Sequence, residues 1–240
     1  MLIFKPPVIA HRGASGYAPE NTLVSMVKAK ELGIKWVEFD VILTRDGLPI
    51  LFHDDRLQRT TDGRGDPTQY NYDYLSTLDA GVWFDPIFSG ERIPTLDSIL
   101  NFIKEEKMSA NIEIKPYKGH ESLYVERILN VAERYFNLDD PSLLFSSFSM
   151  HCLKILREKA PEAPIGILID QWNKDFEIEG CSVHIHEKEI TPEVVATIKE
   201  MNKTLVCYTV NTVDRAKELY SLGVDAVFSD VPDLILRGIQ

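Results

Sequence analysis

Glu38 and Asp40 stand one residue apart in the apolar run WVEFDVIL, with no basic residue between them. On a β-strand, positions i and i+2 share a face, so both carboxylates point the same way. Glu113 sits in a similar run, NIEIKP, where Lys115 follows two residues on. His11 and Arg12 lie in VIAHRG, and His53 in LPILFHDD. Three carboxylates brought together repel one another unless a cation lies among them or one stays protonated near neutral pH. Oxygen-only donors favour Mg²⁺ or Ca²⁺ over zinc. A guanidinium and an ammonium beside such an ion form an anion trap, and phosphate is its usual guest. Two imidazoles add what phosphoester cleavage needs near pH 7, one to accept a proton and one to give it to the departing alcohol.

These residues come from distant parts of the chain, so the elements between them must bring them together. Short apolar strands alternate with amphipathic helices along the whole length. Strands are expected at 7–11, 36–43, 110–115, 143–148, 164–169, 182–187, 204–210 and 225–230. Helices are expected at 21–33, 95–106, near 121–135, near 149–159, at 191–201, near 213–221 and at 232–237, with Asn21 as the first N-cap and Gly33 as its stop. Eight strands, most followed by a helix, in 240 residues predict an α/β fold, a (β/α)8 TIM barrel in a single domain 1–240. Barrels of this kind keep their chemistry at the C-terminal ends of the strands. His11, Arg12, Glu38, Asp40, Glu113, Lys115, Asn211 and Asp230 all fall at such ends.

LPILFH (48–53) is a different kind of strand. Only TRDG separates it from the strand before, too short for a parallel crossover, and Asp46-Gly47 is a hairpin signal. With those two as the turn, Arg45 pairs with Leu48 and His53 falls opposite Asp40, on the face of the carboxylates. The hairpin opens a small insertion after the second strand, from about 44 to 93.

The chain is long enough for a full core, with 44% hydrophobic residues, and its 26 basic against 37 acidic residues leave a net charge of −11. That balance disfavours nucleic acid and anionic membrane surfaces as partners. No apolar stretch is long enough for a membrane span, so no stable membrane association is expected. A strand and His11 arrive within the length of a secretory leader, and Cys152, Cys181 and Cys207 suit neither a disulfide frame nor a zinc site. The cytoplasm is the expected location, and self-association is left open. His184 and His186 share a strand face in SVHIHE, where structural or surface hydrogen bonding is the main reading and contact with a leaving group the other. Cys207 is read as a small buried residue.

The segments AHRGASGYAPENT, VEFDVILTRDGLPILFHDDRLQRTTDGRG, LDAGVWFDPIFSGERIPTLDSIL and IEIK resemble those of the glycerophosphodiester phosphodiesterases, as do YTVNT and GVDAVFSDVPDL near the C-terminus. The likeness is dense over 8–116 and 204–234, and thin over 120–203. It implies a (β/α)8 barrel and metal-dependent hydrolysis of a small glycerophosphodiester to glycerol 3-phosphate and an alcohol. It also implies His11 and His53 as the acid/base pair, Glu38, Asp40 and Glu113 as ligands of one divalent cation, and Arg12 and Lys115 as phosphate contacts. Tyr208 stands where family members usually carry Trp, so one pocket wall is smaller and bears a hydroxyl. Phe148, after the fourth strand, is a further candidate for the pocket wall.

Overall fold

The computed structural model describes residues 4–5, 7–173 and 180–239. Its strands and helices follow in the order β1 (Val8–Ala10), α1 (Leu23–Glu31), β2 (Trp36–Leu43), β3 (Pro49–Leu51), α2 (Tyr72–Leu75), α3 (Leu96–Glu105), β4 (Ser109–Ile114), α4 (Glu121–Ala132), β5 (Leu143–Ser147), α5 (Met150–Lys159), β6 (Ile165–Ile169), β7 (Ser182–His186), α6 (Pro192–Glu200), β8 (Thr204–Tyr208), α7 (Val213–Leu222), β9 (Ala226–Ser229) and α8 (Pro232–Gly238). β1 pairs in parallel with both β2 and β9, and the ring runs on through β8, β7, β6, β5 and β4 back to β2. Eight parallel strands therefore close into a barrel, the expected (β/α)8 fold. Between β6 and β7 no helix is seen among the described residues.

All eight residues of β2 are buried, because both its faces are covered. Val37, Phe39 and Val41 pack into the large apolar layer shared with the helices, while Trp36 joins Phe4, Ile9, Leu144, Val206 and Phe228 in a second cluster that plugs the barrel's interior. Alternation then puts Glu38 and Asp40 above that plug, on the inward face. β4 does the same: Glu38 pairs with Asn111 and Asp40 with Glu113 in the parallel register. No helix among the described residues is long and apolar enough to cross a membrane.

Two local expectations are corrected. The cap of α1 is Thr22, whose hydroxyl accepts from the Ser25 amide at 3.3 Å. Asn21, with φ 56°, is turned away from the helix and toward Asp40. The hairpin is also one residue out of the expected register: Val41 opposes Leu51, and Leu43 opposes Pro49. Thr44 closes a three-residue turn, accepting from the Leu48 amide at 2.9 Å while its hydroxyl donates to Asp46 at 2.6 Å. Phe52, not His53, consequently meets Asp40, through a backbone hydrogen bond of 3.1 Å. β3 has ended by then, so the pleat no longer dictates where His53 points. Three 3₁₀ turns and the short α2 occupy the chain from β3 to α3.

Candidate active site

The β1 end sets the first half of the site. Arg12 has φ 54°, a left-handed conformation uncommon for a residue with a side chain. It aims the Arg12 amide at Glu38 Oε2, 2.9 Å away. Gly13 follows because the backbone of α1 comes so close that a Cβ there would lie 2.7 Å from the Ser25 carbonyl carbon. The Arg12 guanidinium lies 3.4 Å from Asp40 and donates to Glu20 at 2.7 Å.

Glu38, Asp40 and Glu113 converge, with one carboxylate oxygen of each within 4.8 Å of the others. All three are buried. Burial, then the charges of Asp40 and Glu113, push the Glu38 carboxyl well above its ordinary range. Burial and Asp40 likewise push Glu113 up to about 8. Asp40 behaves oppositely: burial would raise it, but Arg12 and Lys115 outweigh that and hold it low. Asn21 contributes by donating to Asp40 Oδ2 at 2.8 Å. Lys115 Nζ lies 3.6 Å from Asp40 and 3.9 Å from Glu113. Acids that must give up their charge when nothing sits among them are matched to a divalent cation, and an oxygen-only set suits a hard one.

Both predicted histidines line one cavity with Glu38 and Glu113, and each carries a carboxylate on Nδ1. His11 donates to Asp230 at 2.7 Å and His53 to Asp54 at 2.7 Å. Such a partner fixes the tautomer and leaves Nε2 as the working nitrogen. Asp230 is itself held by Asn211 at 2.6 Å and Ser15 at 2.9 Å. Burial alone would raise its pKa, but the His11 contact and these hydrogen bonds lower it to about 2. Asp54 is gripped by one edge of Arg59, whose Nε and Nη2 donate to it at 2.5 and 2.8 Å. The same guanidinium makes two 2.7 Å bonds to Glu20.

A cavity of about 320 Å³ opens over the acids, bounded by His11, His53, Glu113, Leu168, Tyr208 and Phe228 among others. The matching family model is that of the glycerophosphoryl diester phosphodiesterases, over residues 11–234. The chain belongs to that family. Its members are hydrolases. A glycerophosphodiester phosphodiesterase of Caldanaerobacter subterraneus subsp. tengcongensis is 34% identical, with 98% of each chain covered. A second, from Bacillus altitudinis, is 31% identical over 96% of each. Among solved structures, a phosphodiesterase of Oleispira antarctica in complex with the product sn-glycerol-3-phosphate superposes with a TM-score of 0.94 at 39% identity, covering 98% of this chain and 96% of that one.

The seven residues expected to carry chemistry thus lie around one cavity, and both wall candidates, Phe148 and Tyr208, line it. Phe148 is exposed and stands edge-on to Tyr208, with 6.1 Å between ring centres. The Tyr208 hydroxyl lies 2.9 Å from the Ile169 carbonyl and 3.0 Å from Asp170. His186 meets the Tyr208 ring at 5.6 Å, with Nδ1 accepting from the Lys188 amide. His184 is wholly enclosed, bonded to Ser182 at 3.0 Å and packed on Phe228, so the structural reading holds for it. Cys207 is fully buried, as expected. Glu20, Asn21, Asp54 and Arg59 had no role assigned from sequence beyond the helix cap at Asn21. Asn211 and Asp230 were located at strand ends, but nothing in their spacing linked them to His11.

Proposed function

We propose that this chain hydrolyses glycerophosphodiesters to sn-glycerol 3-phosphate and an alcohol. The observation that carries the reading is the buried triad of carboxylates flanked by Arg12, Lys115 and two carboxylate-backed imidazoles on one cavity. Glu38, Asp40 and Glu113 would hold one divalent cation, Mg²⁺ or Ca²⁺; when bound, it draws negative charge from the phosphoryl oxygens. Arg12 and Lys115 would bind the phosphoryl oxygens as well and orient the phosphorus for attack. One of His11 and His53 takes the proton of the attacking oxygen. The other gives a proton to the alcohol oxygen as its bond to phosphorus breaks. Asp230 and Asp54 stabilise whichever imidazolium forms. Both water and the substrate's own 2-hydroxyl satisfy this scheme as attacker, and trapping of a cyclic glycerophosphate distinguishes them.

The substrate is a free small molecule handled in the cytoplasm, with no stable attachment to membranes. Release of glycerol 3-phosphate from a glycerophosphodiester should stop in EDTA and return with Mg²⁺ or Ca²⁺. Undiminished release in EDTA would remove the cation from the reaction.

A further inference from the structure

β1 leaves the edge of β2 early. Its last pair is Ala10 with Val37, and β3 takes over that edge only at Val41 with Leu51. Between the two, the buried polar groups of the β2 main chain need other partners. Gly13 gives its amide to the Glu38 carbonyl at 3.2 Å, and Phe52 gives its amide to the Asp40 carbonyl at 3.1 Å. The Asp40 amide is met by a side chain instead, donating to Asn21 Oδ1 at 3.2 Å. Asn21 Nδ2 in turn donates to Asp40 Oδ2 at 2.8 Å. One carboxamide thus holds both the backbone and the carboxylate of a single residue, using an acceptor and a donor as a peptide group would. The ring it closes fixes where the Asp40 carboxylate points.

The residue type follows from the place. Asn21 has φ 56°, a left-handed conformation that asparagine tolerates better than most residues with a Cβ. Its own amide donates to the Arg12 carbonyl at 3.0 Å, which braces the turn whose amide holds Glu38 Oε2. Asn21 is buried, so solvent does not compete for these bonds. With Asn21 and Arg12 on Oδ2, Asp40 keeps Oδ1, 3.6 Å from Lys115, for a cation.

Mg²⁺ and Ca²⁺ make different demands on such a site. Mg²⁺ requires near-ideal octahedral oxygens, whereas Ca²⁺ accepts more ligands in looser arrangements. A carboxylate that cannot swing serves the more exacting ion. Resting on the cation site proposed above, we infer that Asn21 is a positioning residue that holds Asp40 in one orientation and so raises the affinity for Mg²⁺ relative to Ca²⁺.

Calorimetric titration of the full chain, stripped of metal, with Mg²⁺ and separately with Ca²⁺ tests this. Asn21→Gly keeps the left-handed backbone and deletes the carboxamide. It should weaken Mg²⁺ binding about 10- to 100-fold, the usual effect of losing a partner behind a ligand, and Ca²⁺ binding by less than about 3-fold. Asn21→Asp keeps the volume and the tolerance for left-handed backbone but offers Asp40 an oxygen in place of the N–H. Its added charge acts on both divalent ions alike, so the ratio of the two affinities should still fall. Thr22→Ala removes the adjacent helix cap without touching Asp40 and should leave both affinities unchanged. A ratio that stays constant in both Asn21 variants, or that Thr22→Ala shifts as far, overturns the positioning role while leaving the cation site standing. Failure of the unaltered chain to bind either ion overturns the cation site and the role of Asn21 together.

Discussion

His11 and His53 face one cavity with the same local arrangement, yet the supports behind them are built differently. His11 leans on Asp230, which is fixed by Asn211 and Ser15, so its support consists of the β1, β8 and β9 ends of the closed barrel. His53 leans on Asp54, its neighbour in sequence, and Asp54 is gripped by Arg59 from a 3₁₀ turn of the insertion. Arg59 reaches on to Glu20, and Glu20 to Arg12. One imidazole is thus held by the scaffold and the other by a chain of ion pairs crossing from the insertion to the barrel. A barrel rim can position a base with short polar side chains, whereas an inserted loop needs a guanidinium with two edges to reach the same rigidity.

The largest expected effect treats the two alike. His11→Ala and His53→Ala should each lower turnover at least ~10²-fold, the usual range for a general acid or base. A near-normal rate in either variant would break the symmetry and remove that residue from the reaction. Next come the carboxylates: Asp230→Asn and Asp54→Asn should each cost roughly 10- to 100-fold in kcat, as loss of an orienting partner does, with the change read chiefly in kcat rather than KM.

The supports should separate at Arg59→Lys. An ammonium cannot make paired bonds to both Asp54 and Glu20, so His53 and, through Glu20, Arg12 both lose alignment. We expect kcat to fall roughly 10-fold and KM to rise, whereas Asn211→Asp, confined to the barrel-side support, should leave KM near its original value. An unchanged KM in Arg59→Lys would disconnect the insertion from the phosphate contact.

The smallest effect concerns a histidine with no carboxylate behind it. Burial holds His184 far below 6.5, at about 3, so it stays neutral in the fold. As pH falls below 6.5 the unfolded chain takes up a proton that the folded one refuses, and stability declines by about 1.4 kcal/mol per pH unit until the folded group titrates. His53 is also held below 6.5, by burial with Arg12 and Lys115 against Asp40, and contributes in the same direction. His184→Asn should flatten the slope of unfolding free energy between pH 6 and 4, as measured by urea titration. A slope unchanged by the substitution would show that His184 is not the group being protonated.

Much of this site could be read from local pattern. Alternation in WVEFDVIL and NIEIK carries an inward acid face wherever the outward face is apolar, and barrel closure then makes those faces converge. The hairpin was legible as a hairpin, but its register was not, because Thr44 and Asp46 build a three-residue turn from side-chain hydrogen bonds that the Asp-Gly signal does not specify. Asn21 suited a helix cap by residue type, and Thr22, the next residue, competed for that position and took it.

Sequence alone, then, determined the eight-strand alternation, the inward acids and the charge balance, since each depends on neighbours within a few residues. Tertiary structure alone decided that Asp230 meets His11 across 219 positions of chain, and that Arg59 ties Asp54 to Glu20. Those contacts follow from ring closure and from how the insertion lies on the barrel. Both are set by the packing of whole elements, and neither leaves a periodic trace in the order of residues.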